Sequence, residues 1–301
     1  MNWQLANRVA SVAAVQAHDE LCIDSTQIPI PVADAIDTAG VTLMWQSLPR
    51  IFGAYLNDTG SAPGILINNQ LNRAGRRQTA AHELGHHMLR HESAVDDGVL
   101  GAGMGTALTR PGWSAAERAA EAFGHWFLMP RRAVLALIDD LGGRCATPDV
   151  AYQASLHLGV GYVTLVRHLV SLRVISRATA ATWTKVSPAD IKRRVDTNAL
   201  LASTREVDVW QVNAGLERTI HVSPGDLIVL SSVGDRLTTD GPLEVDEFAH
   251  GRAIVRCTEP PTAETAPAVC STRSSDVAIS VHPRPRGLFI PSTTDRGEAI
   301  T

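Results

Sequence analysis

Residues 79–92, Thr-Ala-Ala-His-Glu-Leu-Gly-His-His-Met-Leu-Arg-His-Glu, hold four histidines and two glutamates in fourteen positions. On an α-helix each residue advances about 100°. His82 and His86 therefore share a face one turn apart, a spacing at which two imidazoles converge on one tetrahedral metal ion. Glu83 lies beside them, where a carboxylate reaches the open position of the metal without ligating it. His-Glu-x-x-His at this spacing is the apparatus of metal-assisted hydrolysis: two ligands and a general base.

The other polar residues of the stretch fit less well. His91 lies nine residues past His82, about half a turn out of phase on a continuing helix, and is expected to point away. His87 reads as a surface or core-edge histidine. Glu92 stands where the longer HExxHxxGxxH pattern has its third ligand, but Leu89 replaces the glycine that would bend the chain back.

A third ligand must come from another element. Residues 114–130, SAAERAAEAFGHWFLMP, form the next helix, with Glu117, Glu121 and His125 at one-turn intervals on one stripe. Two carboxylates at that spacing suit one ligand and one partner for the outer nitrogen of a ligating histidine. Ser114-x-x-Glu117 is also a capping-box pattern, which would give Glu117 a purely structural use at the helix start. Glu121 and His125 are the remaining ligand candidates. Tyr55, His125 and Arg118 are candidate donors to an oxyanion.

Around these helices, GVTLMWQSL, IFGAYL and APGILINNQL within 40–70 read as strands, with an edge near 63–68 open to strand addition by an extended peptide. The segment 93–112 carries glycines at 98, 101, 103, 105 and 112, the composition of a mobile loop, and its 98–112 part could serve as a lid. The N-terminal MNWQLANRVASVAAVQAH reads as an amphipathic helix with Trp3, Leu5, Val9 and Val12 inward. Residues 131–195 are helical throughout. Within them 152–172, turning at Gly159-Val160-Gly161, has the layout of a helix-turn-helix that would present Tyr162, Thr164 and Arg167 to DNA. From about 205 to 290, short β-branched segments such as DLIVLS and RAIVRC, separated by Gly, Pro and Asp, indicate a small all-β domain of sandwich type. Residues 258–275 read as a Pro/Thr/Ala/Ser-rich loop, and the last ten residues as a disordered tail.

The chain has 301 residues, 45% of them hydrophobic, so a sizeable core is available; 27 basic residues against 31 acidic ones give a net charge of −4. That balance provides no bulk attraction to nucleic acid or to an anionic membrane. No apolar run reaches the ~18 residues of a membrane span, the start makes a poor signal peptide, and a cytoplasmic location is expected. Cys22, Cys145, Cys257 and Cys270 show no CxxC spacing, which argues against a cysteine-bound metal or a disulfide scaffold.

Together the two helices resemble the ImmA/IrrE family of zinc metallopeptidases, which carry HExxH on one helix and a second motif ending in Leu-Met-Pro. Here that motif reads Glu117, Ala120, Glu121, Phe123 and Leu128-Met129-Pro130, with ILIN at 65–68 and Arg76-Arg77 upstream also similar. Glu121 stands where the family usually has Asn or Asp, and Gly124 where it usually has Ala. The resemblance covers roughly 40–175. It implies one Zn2+ per chain held by His82, His86 and Glu117, Glu83 as base, and a helix-turn-helix repressor as the protein substrate. It also implies control of phage, mobile-element or stress genes. The expected architecture is α+β: a mostly helical zinc-peptidase core over 1–130 with a small sheet, a helical, helix-turn-helix-like subdomain over 131–203, and an all-β sensor or interaction domain over 204–301. The competing reading is a DNA- or repressor-binding regulator, or toxin–antitoxin component, with a structural or inactive metal site. DNA contact would then run through 152–172.

Overall fold

The computed structural model describes residues 3–49, 51–57, 61–96, 113–143, 145, 147–195, 207–213, 218–231, 236–238, 243–249, 252–258, 268–271 and 276–283. The lid segment expected at 98–112, most of the loop at 258–275 and the C-terminal tail lie outside the described residues. The fold is mixed α+β. Its contacts divide into two compact units, the first drawing on residues 1–145 and 158–180, the second on 146–157 and 181–285.

The first unit begins with α1 (Trp3–Glu20) and α2 (Val32–Thr38). Three strands follow, β1 (Thr42–Gln46), β2 (Gly53–Leu56) and β3 (Gly64–Asn68), and then α3 (Arg73–Met88), which carries the His-Glu-x-x-His residues. The short β4 (Ala94–Asp96), α4 (Ala115–Leu128) and α5 (Arg131–Asp140) come next, and after α6 (Pro148–Leu158), which clusters with the second unit, α7 (Tyr162–Ser171) returns to the first. The sheet runs β1-β3-β2-β4, parallel between β1 and β3 and antiparallel elsewhere. The strand expected to be an open edge, 64–68, is thus interior, with Ile65 and Ile67 fully buried. Its continuous apolar run is what a strand flanked on both sides requires. The edges are β1 and β4.

Two small-residue contacts set the helix layer. A Cβ added at Gly85 of α3 would lie 2.9 Å from the Phe123 ring and 3.0 Å from the Ala120 carbonyl oxygen of α4. One added at Gly124 would lie 3.2 Å from the His82 nitrogen. Glycine at both positions lets the two helices approach closely enough for short side chains to meet between them. The inward face of α1 is Ala6, Ala10, Ala14 and Ala17, while Leu5, Val9 and Val12, expected inside, are exposed. Trp3 is half-buried. Alanines on the i, i+4 stripe bring α1 close to α4, whose Trp126 donates its indole N–H to Asn7 at 2.9 Å and whose Phe127 carbonyl accepts from His18 at 3.0 Å.

Among the described residues the second unit contains α6, α9 (Pro188–Val195), which follows α8 (Arg177–Trp183), and eight strands. These are β5 (Val209–Asn213), β6 (Arg218–Val222), β7 (Leu227–Ser231), β8 (Arg236–Thr238), β9 (Leu243–Ala249), β10 (Arg252–Cys257), β11 (Ala268–Ser271) and β12 (Asp276–Pro283). They form two sheets, ordered β5-β7-β10-β9 and β6-β12-β11-β8. Val195, Val209, Leu227, Val229 and Ile254 form one of its apolar clusters. From α6, Gln153 donates to the Val209 carbonyl and accepts from the Gln211 N–H, both at 2.9 Å, and so binds the helix to β5.

Candidate metal centre

Asn72 starts α3: its side-chain oxygen accepts the Gly75 N–H at 2.8 Å. The helix then buries Arg76 through His86 without a break. His82 and His86 direct their Nε2 atoms toward each other, 3.2 Å apart. From α4, Glu117 places Oε2 3.1 Å from His82 Nε2 and Oε1 3.5 Å from His86 Nε2. Ligand atoms about 2.0–2.1 Å from a tetrahedral zinc stand ~3.3 Å from one another, and the observed separations bracket that value. These three residues form a possible metal site, one ligand atom from each lying within 4.8 Å of the others. Two imidazoles and one carboxylate are a donor set that suits zinc and leaves a fourth position open.

Ser114 caps α4 by accepting the Glu117 N–H at 3.1 Å, but the Glu117 carboxylate turns to the histidines instead of back to the helix start. The cap is the Ser114 hydroxyl, and the Glu117 carboxylate is left free of the helix start to face the two histidines.

Glu121 accepts from His82 Nδ1 at 3.2 Å through Oε2, while Oε1 lies 3.3 Å from His125 Nε2. Gln78, one turn before His82, donates to Glu121 Oε1 at 3.1 Å and accepts the Thr164 hydroxyl of α7 at 2.9 Å. His125 is thereby held behind Glu121, away from the ligand atoms, where its ring meets the edge of Trp3 at 6.4 Å. Glu121 does fix the outer nitrogen of His82, a longer side chain doing what Asn or Asp would do at shorter reach.

Tyr55 of β2 is buried, its ring stacked 6.5 Å from that of His86, and its hydroxyl lies 3.0 Å from His87 Nδ1. Glu83 is fully buried against β2, where a Cβ on Gly53 would stand 3.0 Å from Oε1; glycine there leaves the carboxylate its room. Arg118 follows Glu117 on α4 and is half-buried.

His91 corrects the expectation. The helix ends at Met88; Arg90 takes a φ of 56°, its N–H bonds the His87 carbonyl at 3.0 Å, and the His91 N–H bonds the His86 carbonyl at 2.9 Å. This double bond pattern with a left-handed residue is the Schellman turn, usually made by glycine. It folds His91 back so that its Nδ1 lies 3.1 Å from Nδ1 of His86, on the outer side of that ligand. Glu92, just beyond, is exposed.

Burial works against charge on His82, but the Glu117, Glu121 and Glu83 carboxylates outweigh it and hold the imidazole pKa well above its ordinary value. Burial likewise opposes ionisation of Glu117, and His82 and His86 overcome it, leaving that carboxyl well below the usual range. Glu121 follows the same pattern with His125 and His82, down to about 2.

Residues 37–144 match the family model Peptidase_M78, described as the IrrE N-terminal-like domain. The match spans 108 of the 301 residues. The IrrE N-terminal-like segment includes the sheet, α3, α4 and α5, and with them all three ligand candidates. It leaves out α1 and α7, so Thr164, whose hydroxyl donates to Gln78, is supplied from outside it. Among curated proteins none matches the chain.

The segment read as helix-turn-helix is divided between the units, α6 in the second and α7 in the first. Tyr162 and Thr164 are buried, and Arg167 alone of the three is partly open. No helix of the described residues is long and apolar enough to cross a membrane.

Proposed function

We propose that the protein is a zinc-dependent endopeptidase acting in the cytoplasm on a helix-turn-helix repressor, in keeping with its IrrE N-terminal-like domain. The observation that carries the reading is the convergence of His82, His86 and Glu117 with Glu83 buried next to them. Zinc held by these three residues would lower the pKa of water toward ~7 and polarise a peptide carbonyl.

The chain's own groups supply the rest. Glu83 takes a proton from the attacking water and delivers it to the departing amine. Glu121 and His91 bond the outer nitrogens of His82 and His86, so the inner nitrogens keep their lone pairs toward the ligand point. Tyr55, beside His86, is the best-placed donor to the developing oxyanion. The outer edge of β4, paired to β2 opposite Tyr55, offers backbone groups to an extended substrate.

The test is incubation of the zinc-loaded full chain with the repressor encoded beside its gene. Discrete fragments should form with wild type and with no trace from Glu83→Gln, which retains metal because the amide keeps the shape of the side chain but cannot accept the proton. Equal cleavage by both proteins, or none by either, would overturn the reading.

A further inference from the structure

The helices α1 and α7, with the start of α8, enclose a groove of about 880 Å3. Every residue lining it lies outside the segment matched to the IrrE N-terminal-like domain. Four arginines line it: Arg8, Arg167, Arg173 and Arg177. None of the described lining residues is acidic. Arg167 is half-buried, and its Nη1 is covered with no hydrogen-bond partner among the described residues. Trp3, Leu5, Val170 and Ala180 form the apolar part of the lining.

The groove is continuous with a second feature. Along α1, Leu5, Val9, Val12 and Val15 are 51%, 44%, 59% and 60% exposed. They fall within ~120° of the helix circumference, the same sector as Arg8, and extend the apolar surface about 15 Å along the axis. A contiguous aliphatic stripe of this kind on a charged surface marks a contact site for a partner.

We propose that this surface docks an acidic amphipathic helix of another protein. Its carboxylates would sit on the four guanidinium groups and its aliphatic side chains on Leu5, Val9, Val12 and Trp3. A nucleic-acid backbone would satisfy the arginines but leave the valines against phosphate, with nothing apolar to cover them. A second copy docked by two-fold symmetry would bring the arginine cluster toward its own image. The docking is independent of what the metal centre hydrolyses.

The probe is a fluorescein-labelled peptide of about 18 residues, long enough to cover the stripe, with leucines at helical spacing flanked by glutamates. A twin peptide has lysines in place of the glutamates, and a duplex DNA of similar length completes the set. Fluorescence anisotropy with the full chain should give micromolar binding for the glutamate peptide and at least about tenfold weaker binding for the lysine twin. Arg167→Glu with Arg177→Glu, and separately Val9→Asp with Val12→Asp, should each weaken the glutamate peptide by at least about tenfold. Metal content should remain that of wild type, which verifies the fold. Equal binding of the two peptides, indifference to both double variants, or no binding at about 100 µM would overturn the proposal. Preference for DNA would make the groove a nucleic-acid site. A dimer in sedimentation that Val9→Asp with Val12→Asp dissolves would make the stripe a self-contact.

Discussion

Replacing Gly85 by alanine should separate the two ligand-bearing helices. The new Cβ would lie 2.9 Å from Phe123 Cδ1, 3.0 Å from the Ala120 carbonyl oxygen and 3.2 Å from Ala120 Cα. Carbon atoms rest at about 3.5 Å or beyond, so α3 and α4 must part by ~0.5 Å at this point. The Phe123 ring cannot turn aside, because it is fully buried and stacked on Phe127 at 5.5 Å and 15°. Overpacking of this kind costs about 1–3 kcal/mol, and alanine returns ~1 kcal/mol through its better helix propensity. The metal-free protein should therefore lose up to ~2 kcal/mol, a fall of several degrees in Tm. Metal sites tolerate ligand displacements of only ~0.2 Å, and this one moves Glu117 relative to both histidines. Zinc affinity, measured against a chromophoric chelator, should drop at least about tenfold. Gly124→Ala is the contrast: its Cβ comes no nearer than 3.2 Å, to the His82 nitrogen, so a shift of a few tenths of an ångström suffices and the propensity gain offsets it. That variant should stay within ~0.5 kcal/mol of wild type and keep its zinc. If Gly85→Ala binds zinc and melts like wild type, or if Gly124→Ala is the worse of the two, close approach is not what sets the ligand geometry.

Glu117→Gln should weaken zinc roughly a hundredfold, since about 10–16 kcal/mol shared by four ligands is ~3 kcal/mol each; Ser114→Ala should cost ~1 kcal/mol of stability and leave zinc bound. Equal zinc affinity in the two variants would return Glu117 to the role of cap. Glu121→Ala removes the acceptor of His82 Nδ1, and a chelator titration should read a loss of about 10–100-fold. Burial, with help from neighbouring His125, pulls the pKa of His168 down to about 3 from 6.5, so below pH 6.5 the unfolded chain binds the proton that the folded one refuses. Melts of the metal-free protein from pH 6.5 to 4.5 should lose stability at ~1.4 kcal/mol per pH unit from this group alone. His168→Gln, able to keep the bond to the Met129 carbonyl, should flatten that slope; an unchanged slope would clear His168.

The two helices that bring His82, Glu83, His86, Glu117 and Glu121 together were legible because helical periodicity is local: the first three residues need only one turn, and the two glutamates one more. Strand order was not, because the interior position of β3 depends on pairing with β1 and β2, and nothing in ILIN itself distinguishes an edge from a centre. His91 was misplaced for want of a glycine at 90. The Schellman turn there uses an arginine in the left-handed region, and no residue type announces it. On α1 the larger apolar side chains were expected inside, but distance of approach decides the matter: α4 presents aromatic side chains, and only the alanine face fits beneath them. Gln78 sits one turn before His82 on the ligand stripe, a spacing that could have marked it as part of the site.

The interleaving of the two units bears on the order in which the site can mature during synthesis. All three ligand candidates have left the ribosome once residue 117 has emerged, yet the hydroxyl of Thr164, which holds Gln78, and the ring of His168, which bonds the Met129 carbonyl at 2.9 Å, follow only after a stretch that belongs to the second unit. A nascent chain arrested before α7 would thus present a metal cradle without its rear brace. Metal capture at full strength is tied to translation well past the ligands, and a fragment ending at 145 would reproduce that unbraced intermediate.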